Sequence, residues 1–513
     1  MKVSPLAVLG TLVLAMACAH RLERTLVTPQ NAATLDEGSP YLKAHLRSGY
    51  VYVLSDWYAD SGGALIGGEG VLLDPNRVRV DSGAFQFRAD SVALFETNVV
   101  RPTGANTALA VMAGITAAVG AFCLLSDSKT CFGSCPTIYA PDSTGESLQA
   151  EAFSSSIAPA LEATDLDMLY RARPRNRDLV LRITNEALET HVIRFADVIA
   201  VPRPVGGRVF VTMDGVFRAA TAMTPPSRCA AAEGDCLAEV RNFDHLERFS
   251  LADSTDLATR ETVDLEFDQV PPGPLGLVVA SRQTLMTTYL IYQSLAYLGT
   301  QATAFLARLE TGGPGARTVA GELGRTLGRI EVLVPDSAAE DGWRVVGAVG
   351  EVGPIAVDTK VVPLPAAGGR PLHVRLRLTR GLWRLEYVAL AALGDSVQPL
   401  RIRPSAVRTH GHSAPAALRG LRDRAEPLVT LRGDAYEVEY RLPPDYSRQE
   451  LFLEARGYYL EWLRREWMPE ENPAAALQLV LQPRVALRVL APAYKAQEAR
   501  MEQLFWNSRY ESR

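Results

Sequence analysis

Leu372-His373-Val374-Arg375-Leu376-Arg377-Leu378-Thr379, followed by Arg380-Gly381 and then Trp383-Arg384-Leu385-Glu386-Tyr387-Val388-Ala389, is the passage that decides the fold. Leu372, Val374, Leu376 and Leu378 alternate with His373, Arg375 and Arg377; past the glycine, Trp383, Leu385, Tyr387 and Ala389 alternate with Arg384 and Glu386. Successive side chains of a strand point to opposite faces, so this spacing predicts a half-buried antiparallel pair joined by a tight turn. Arg375, Arg377, Arg384 and Glu386 would then share one sheet face, with His373 toward solvent. Ile330 to Val334 and Trp343 to Val349 carry similar patterns, and together they predict a β-sandwich over residues 329–403.

Outward from this core the chain reads as α+β, mainly β. Leu179 to Ile183, Val192 to Val201 and Val209 to Phe217 are β-branched runs that read as strands, with a turn at Gly206-Gly207. Ser156 to Leu169 reads as a helix. Residues 42–97 alternate between Gly and Asp turns, Asp74-Pro75-Asn76 among them, and predict a small sheet or barrel. Toward the C-terminus, Ser447 and Glu450 form a capping box before Leu451, Ala455, Tyr459 and Trp462, which predicts a helical cap over 447–513. The row Tyr458, Tyr459, Trp462, Trp467 then reads as helix packing. The expected organisation is a leader at 1–17, a small β domain at 18–100, an apolar helix at 101–128 and a central mixed region at 129–280. A second apolar helix at 281–310, the sandwich at 329–403, a linker with strands at 404–446 and the cap complete it. The sandwich resembles the jelly-roll modules of extracellular carbohydrate-binding proteins.

The leader carries the strongest targeting signal. Lys2 supplies a positive start, Leu6 to Leu14 an apolar core, and Ala17 a small residue before Cys18. This run resembles the signal of bacterial lipoproteins, in which the cysteine receives the acyl chains. The resemblance implies lipidation at Cys18, a membrane-lipid partner through that anchor and, with Ala19 next, the outer membrane. Ordinary cleavage near Ala17 would equally export the chain.

Six cysteines fit an oxidising compartment. Cys131 with Cys135, and Cys229 with Cys236, are close enough in sequence for two short-loop disulfides, which leaves Cys123 over. The run Cys131-Phe132-Gly133-Ser134-Cys135-Pro136 resembles a signature of uncharacterised bacterial envelope domains. A Cys-x-x-x-Cys-Pro pattern is also similar to the copper chaperones of cytochrome oxidase assembly, which would make Cys131 and Cys135 thiol or Cu(I) ligands and His191 or His245 a third.

Composition excludes some classes. Charged residues make up 22% and the net charge is −5, with both signs interspersed, so no basic tract suits nucleic acid. Thr107 to Leu125 and Gln283 to Ala307 are free of charge and long enough to raise a membrane span. The first is mostly small residues, with Ala110 and Gly114 at helix-packing spacing; the second is rich in hydroxyls and amides and reads as a core helix. His410 and His412 flank a glycine and can chelate a metal, yet no cysteine or carboxylate cluster accompanies them, so the metal expectation is none.

No nucleophile elbow, zinc-protease motif, P-loop or dinucleotide fingerprint is present. The expectation is an exported, lipid-anchored envelope protein with a structural or binding role, an envelope protein or carbohydrate as partner, and no catalytic residue or cofactor. Two alternatives stay open. One is a thiol-redox or copper-handling protein using Cys131 and Cys135; the other is a membrane-integrated component spanning through 107–125 and 283–307.

Overall fold

The computed structural model describes residues 20–46, 50–60, 62–73, 79–102, 135–143, 145–187, 189–299, 322–350, 352–366, 371–423, 426–461 and 470–509. The leader, Cys18, the 74–76 turn, the 107–125 run, Cys123, Cys131, Trp462 and Trp467 lie outside them. The chain is mainly β with a few helices, the α+β class that the alternation predicts. It divides into two compact units: Met1–Ser126, Ile291–Gly313 and Trp462–Ala476 form one, and Asp127–Leu290, Pro314–Glu461 and Leu477–Arg513 the other.

The first unit holds strands β1 (His20–Val27), β2 (Tyr41–Leu46), β3 (Val51–Ala59), β4 (Leu65–Leu73), β5 (Arg79–Arg88) and β6 (Val92–Pro102) in one antiparallel sheet, ordered β1-β6-β2-β3-β4-β5. Its core is Val27, Leu42, Ala44, Leu54, Ile66, Val92 and Phe95. Leu42 and Ala44 lie two apart, as one face of a strand requires. Gly70 lets β4 approach β3, since a Cβ there would stand 2.1 Å from the Val53 carbonyl oxygen.

The second unit begins with β7 (Thr137–Pro141), β8 (Glu146–Glu151), β9 (Ala163–Met168), β10 (Asp178–Thr184), β11 (Glu189–Pro202), β12 (Arg208–Val211) and β13 (Phe217–Thr224). The hairpin β14 (Arg228–Ala231) and β15 (Gly234–Asp235), a helical turn α1 (Leu237–Val240), β16 (Arg260–Phe267), β17 (Leu275–Gln283) and helix α2 (Met286–Leu298) follow, the residues of α2 from Ile291 onward counting with the first unit. Next come β18 (Ile330–Pro335), β19 (Trp343–Val349), β20 (Asp358–Leu364), β21 (Leu372–Thr379), β22 (Trp383–Ser396) and β23 (Leu400–Ile402). The chain closes through β24 (Ala406–Thr409), β25 (His412–Ser413), α3 (Pro415–Arg422), β26 (Leu428–Leu431), β27 (Ala435–Arg441), β28 (Gln449–Glu461), α4 (Pro473–Leu481) and α5 (Pro483–Arg509), the residues of α4 up to Ala476 counting with the first unit.

These strands make four sheets: β25-β24-β27-β10-β7-β8, β23-β11-β28-β9 with β26 also on β11, a closed barrel β12-β13-β22-β17-β20, and β15-β14-β16-β21-β18-β19. Every residue of β17 is buried, which is why its sequence is a near-continuous apolar run rather than an alternation.

Several expectations are corrected. The strands of the opening passage form as expected but do not pair with each other: β21 pairs with β16 and β18, and β22 with β17 and β13. They part at Gly381, whose φ of +77° and contact with the Ala252 backbone only a glycine tolerates. The four charges therefore do not share one face: Arg375 and Arg377 lie on β21, Arg384 and Glu386 on β22 of another sheet. Arg375 pairs with Asp264 and Arg377 with Glu331, whereas Arg384 and Glu386 are buried on the barrel strand. The strands within 329–403 also draw partners from 208–283, so that range is not a self-contained module.

Residues 449–461 are the strand β28, not a capped helix; β28 lies between β11 and β9, and Tyr458 and Tyr459 are buried on it. Ser156 to Leu169 is a short 3-10 turn at Pro159–Leu161 followed by β9, and the strand expected over Val209 to Phe217 is broken by a turn at 212–216 that joins the end of β12 to the start of β13. Residues 404–446 hold the expected strands, four of them, with a helix at Pro415–Arg422 where a linker was expected. Of the 283–307 run, Gln283 ends β17 and α2 is a helix of 13 residues. No helix among the described residues is long and apolar enough to cross a membrane.

Candidate functional site

The disulfide Cys229–Cys236 closes the β14–β15 hairpin, with the two Cα atoms 5.1 Å apart and both residues buried. The chain then makes one helical turn, α1, and enters a loop at 241–249 in which Phe243, His245, Glu247 and Arg248 are held by neighbouring elements. Phe243 stacks between Tyr170 and Tyr387, at 4.3 Å between ring centres on each side. The Arg208 guanidinium stands 4.3 Å from the Tyr170 ring while pairing with Glu450 at 2.7 Å. Each such ring contact adds on the order of 1 kcal/mol to the burial of the rings themselves.

Beneath Phe243 lies a small cleft of about 40 Å³, room for a few water molecules. Gln149, Tyr170, Arg171, His245 and Glu386 line it. Glu386 Oε1 accepts hydrogen bonds from Arg171 Nη2 at 2.8 Å and from the His245 backbone N–H at 2.9 Å. His245 holds a φ of +69°, unusual outside glycine, and its ring lies against the Arg171 guanidinium. The bond from its own N–H to Glu386 offsets that backbone cost.

The rest of the loop is pinned by buried ion pairs. Glu247 accepts from Arg282 Nε and Nη2, both at 2.7 Å, and from Arg384 at 3.4 Å. Arg384 also reaches Glu502 at 2.9 Å, and Glu502 accepts from the Leu285 N–H at 2.7 Å. Arg248 pairs with Glu233 and Glu261, and Ser250 Oγ donates to Glu261 at 2.6 Å. Burial opposes the charge on Arg248, but its bonds to Glu233 and Glu261 outweigh that and hold its pKa above the ordinary value.

A second charged cluster lies on the seam between the edge strand β9 and the barrel strand β20. Lys360 Nζ donates to the Leu166 carbonyl at 2.7 Å and pairs with Asp358; Asp358 accepts from the N–H of Thr359 at 2.7 Å and of Met168 at 3.4 Å. Side chains of β20 thus satisfy backbone groups on the unpaired edge of β9. Asp165 accepts from the N–H of Phe153 and of Leu166. Asp167 is 6% exposed, and its Oδ2 has no hydrogen-bond partner. Burial, then the neighbouring Asp165 and Asp358 carboxylates, push its pKa well above the carboxylate range. Three carboxylates share the seam with one ammonium, so the arrangement favours a bound proton on Asp167.

The residues singled out from sequence fare differently. Cys229 and Cys236 are joined as expected. Cys135 is a free, buried thiol that donates to the Ser154 carbonyl at 3.7 Å, which corrects the expected pairing with Cys131. The same carbonyl accepts from Tyr459 Oη at 2.9 Å. Burial first, then Glu151 and Glu189, push the Cys135 pKa well up, so little thiolate forms there. His191 is fully buried and bound to Glu189 at 2.9 Å, and His245 belongs to the cleft. His410 and His412 are exposed at the β24–β25 turn. Among the described residues, no three His, Cys, Asp or Glu side chains are placed to hold a metal ion.

Sequence reading missed the cleft because Gln149, Arg171, His245 and Glu386 share no local motif. One signal was available: Arg384 and Glu386 open a run that continues as Val388 to Leu393 without a polar residue, the mark of a strand covered on both faces.

No family model and no curated protein matches this chain. Among solved structures, a GH31 alpha-xylosidase from Xanthomonas citri aligns over 85% of this chain at 9% identity. The chain spans 38% of that enzyme's length, and the TM-score of 0.16 is too low to carry an argument about fold or function.

Proposed function

We propose that this chain is an exported protein of the bacterial cell envelope, tethered to the outer membrane through lipid on Cys18, and that it works by binding rather than by catalysis. The observation that carries this reading is the Cys229–Cys236 bridge, because such bonds persist in oxidising compartments and are rare in the cytosol. The leader ending at Cys18 supports the same compartment from the sequence side. Binding is favoured over chemistry because the charges around the cleft are engaged in fixed pairs that position the 241–249 loop, as a rigid scaffold requires. An envelope protein or a carbohydrate remains the partner class.

The thiol or copper reading is disfavoured by the burial of Cys135, whose thiolate is the form that would attack or ligate. Intact mass after purification from membranes, comparing wild type with Cys18→Ala under non-reducing alkylation, tests the proposal. The expected result is an acyl mass absent from the variant, with Cys229 and Cys236 alkylated only after reduction. A wild-type chain without acyl mass, or with Cys229 and Cys236 freely alkylated, would overturn it.

A further inference from the structure

Helices α4 and α5 follow one another through Gln482, and their inner face packs through Ala476, Leu479, Leu487, Leu490 and Tyr494, all buried. The outer face is apolar as well. Leu477, Leu481, Val485 and Val489 are 57, 67, 41 and 63% exposed, and their spacing of four residues sets them in one stripe opposite the packed side. An ordinary surface helix carries polar residues there. A contiguous row of exposed leucine and valine marks a surface that meets something else.

Charge indicates what it meets. From Pro473 to Gln497 the sequence contains Arg484, Arg488 and Lys495 and no acidic residue, and Arg484 and Arg488 are interleaved with the stripe; Arg488 Nε pairs with Asp256 at 2.9 Å while 66% of its side chain stays exposed. Arg484 also stands close enough to Arg260 for the two cations to oppose each other, behind burial and the Arg377 guanidinium, in lowering the Arg260 pKa. An anionic surface laid over the stripe would relieve that repulsion while taking up the apolar side chains. No helix among the described residues is suited to cross a bilayer, so the stripe would lie along one.

We propose that Leu477, Leu481, Val485 and Val489, flanked by Arg484 and Arg488, form a membrane-surface contact that takes anionic phospholipid. The contact rests on the envelope reading for its setting but not for its test, which removes the acyl anchor. The chain from Ala19 onward keeps every described residue. It is floated with phosphatidylethanolamine vesicles containing phosphatidylglycerol, and separately with phosphatidylcholine vesicles. The expected result is co-flotation with the anionic vesicles, weaker flotation with the neutral ones, and loss of flotation in L481E/V485E and in R484E/R488E. Both pairs are on the solvent side, and circular dichroism checks that the variants fold. Equal flotation of L481E/V485E and its parent, or no flotation of the parent, would overturn the proposal. A concentration-dependent dimer that L481E/V485E abolishes, with no flotation, would overturn it in favour of a second copy of the chain. Acylation at Cys18 plays no part in these outcomes, so failure of the anchor and failure of the stripe are read separately.

Discussion

Glu247 holds Arg282 through two parallel hydrogen bonds of 2.7 Å, with the Glu247 side chain 4% and the Arg282 side chain 1% exposed. Arg282 also donates to the carbonyls of Gln283 and Pro354, and Arg384 approaches the same carboxylate. Glu247 therefore fastens the 241–249 loop to two barrel strands, β17 and β22. Taking such a pair out of water is expensive, and removing one partner strands the other without compensation. Glu247→Ala should destabilise the second unit by about 3–5 kcal/mol. Urea unfolding measures it, and a loss under about 1 kcal/mol would mean that Arg282 keeps full compensation from its remaining partners.

Phe243 contributes through stacking rather than charge. With Tyr170 on one side and Tyr387 on the other, Phe243→Leu removes two ring contacts while keeping an apolar side chain in place. The expected loss is about 1–3 kcal/mol, the sum of two such contacts. A double-mutant cycle of F243L with Y387L isolates one of them, and a coupling indistinguishable from zero would rule out the stack as a source of stability.

How far the sequence reveals this arrangement depends on whether the relevant partners are local. The alternation over 372–389 identifies two strands correctly, since period-two patterning is a property of each strand alone. Which strands they pair with depends on Gly381 and on β16 and β17, more than 90 residues earlier in the chain, and no local pattern encodes that choice. Residues 449–461 show a different ambiguity. Leu451, Ala455 and Tyr459 are four apart, and a spacing of four keeps residues on one face of a helix and of a strand alike. Leu453, buried on the same side, distinguishes the two, because it falls at the strand period and off the helix stripe. The cleft was illegible because it is assembled from β8, the segment after β9, the 241–249 loop and β22.

The Cys229–Cys236 bridge encloses a short loop, with a sequence separation of 7. Closing so few residues restricts the unfolded chain modestly, by about 2–3 kcal/mol in the chain-entropy account. The C229S/C236S variant should lose that much and still fold, since the loop beyond it is held independently by the Phe243 stack and the Glu247 pairs, and Arg248 keeps Glu261 even where Glu233 shifts with the hairpin. Unfolding curves of the variant and of the wild type, with and without reductant, check this. Failure of the variant to fold would mean that the bridge organises the 241–249 loop rather than merely stapling the hairpin.

Asp167 gives the fold a pH dependence of definite sign. Its pKa in the folded protein is raised, by burial first and then by Asp165 and Asp358, and Asp165 is shifted the same way. A group with a raised folded pKa binds more protons when folded than when unfolded, so its contribution is complete below the unfolded carboxylate value and declines as pH climbs through the folded one. The groups facing Asp167 are Asp165, Asp358, Lys360 and Glu151, and of these only Lys360 favours its ionised form. Asp167→Asn keeps the shape and stays neutral at every pH, which removes the titration. Stability measured by urea unfolding across the range from the ordinary carboxylate pKa upward should fall with pH in the wild type and fall less steeply in D167N. The difference between the two proteins should therefore shift in favour of D167N as pH rises. Parallel profiles would show that Asp167 ionises in the folded seam as readily as in the unfolded chain, and that the excess carboxylate is balanced by Lys360 alone.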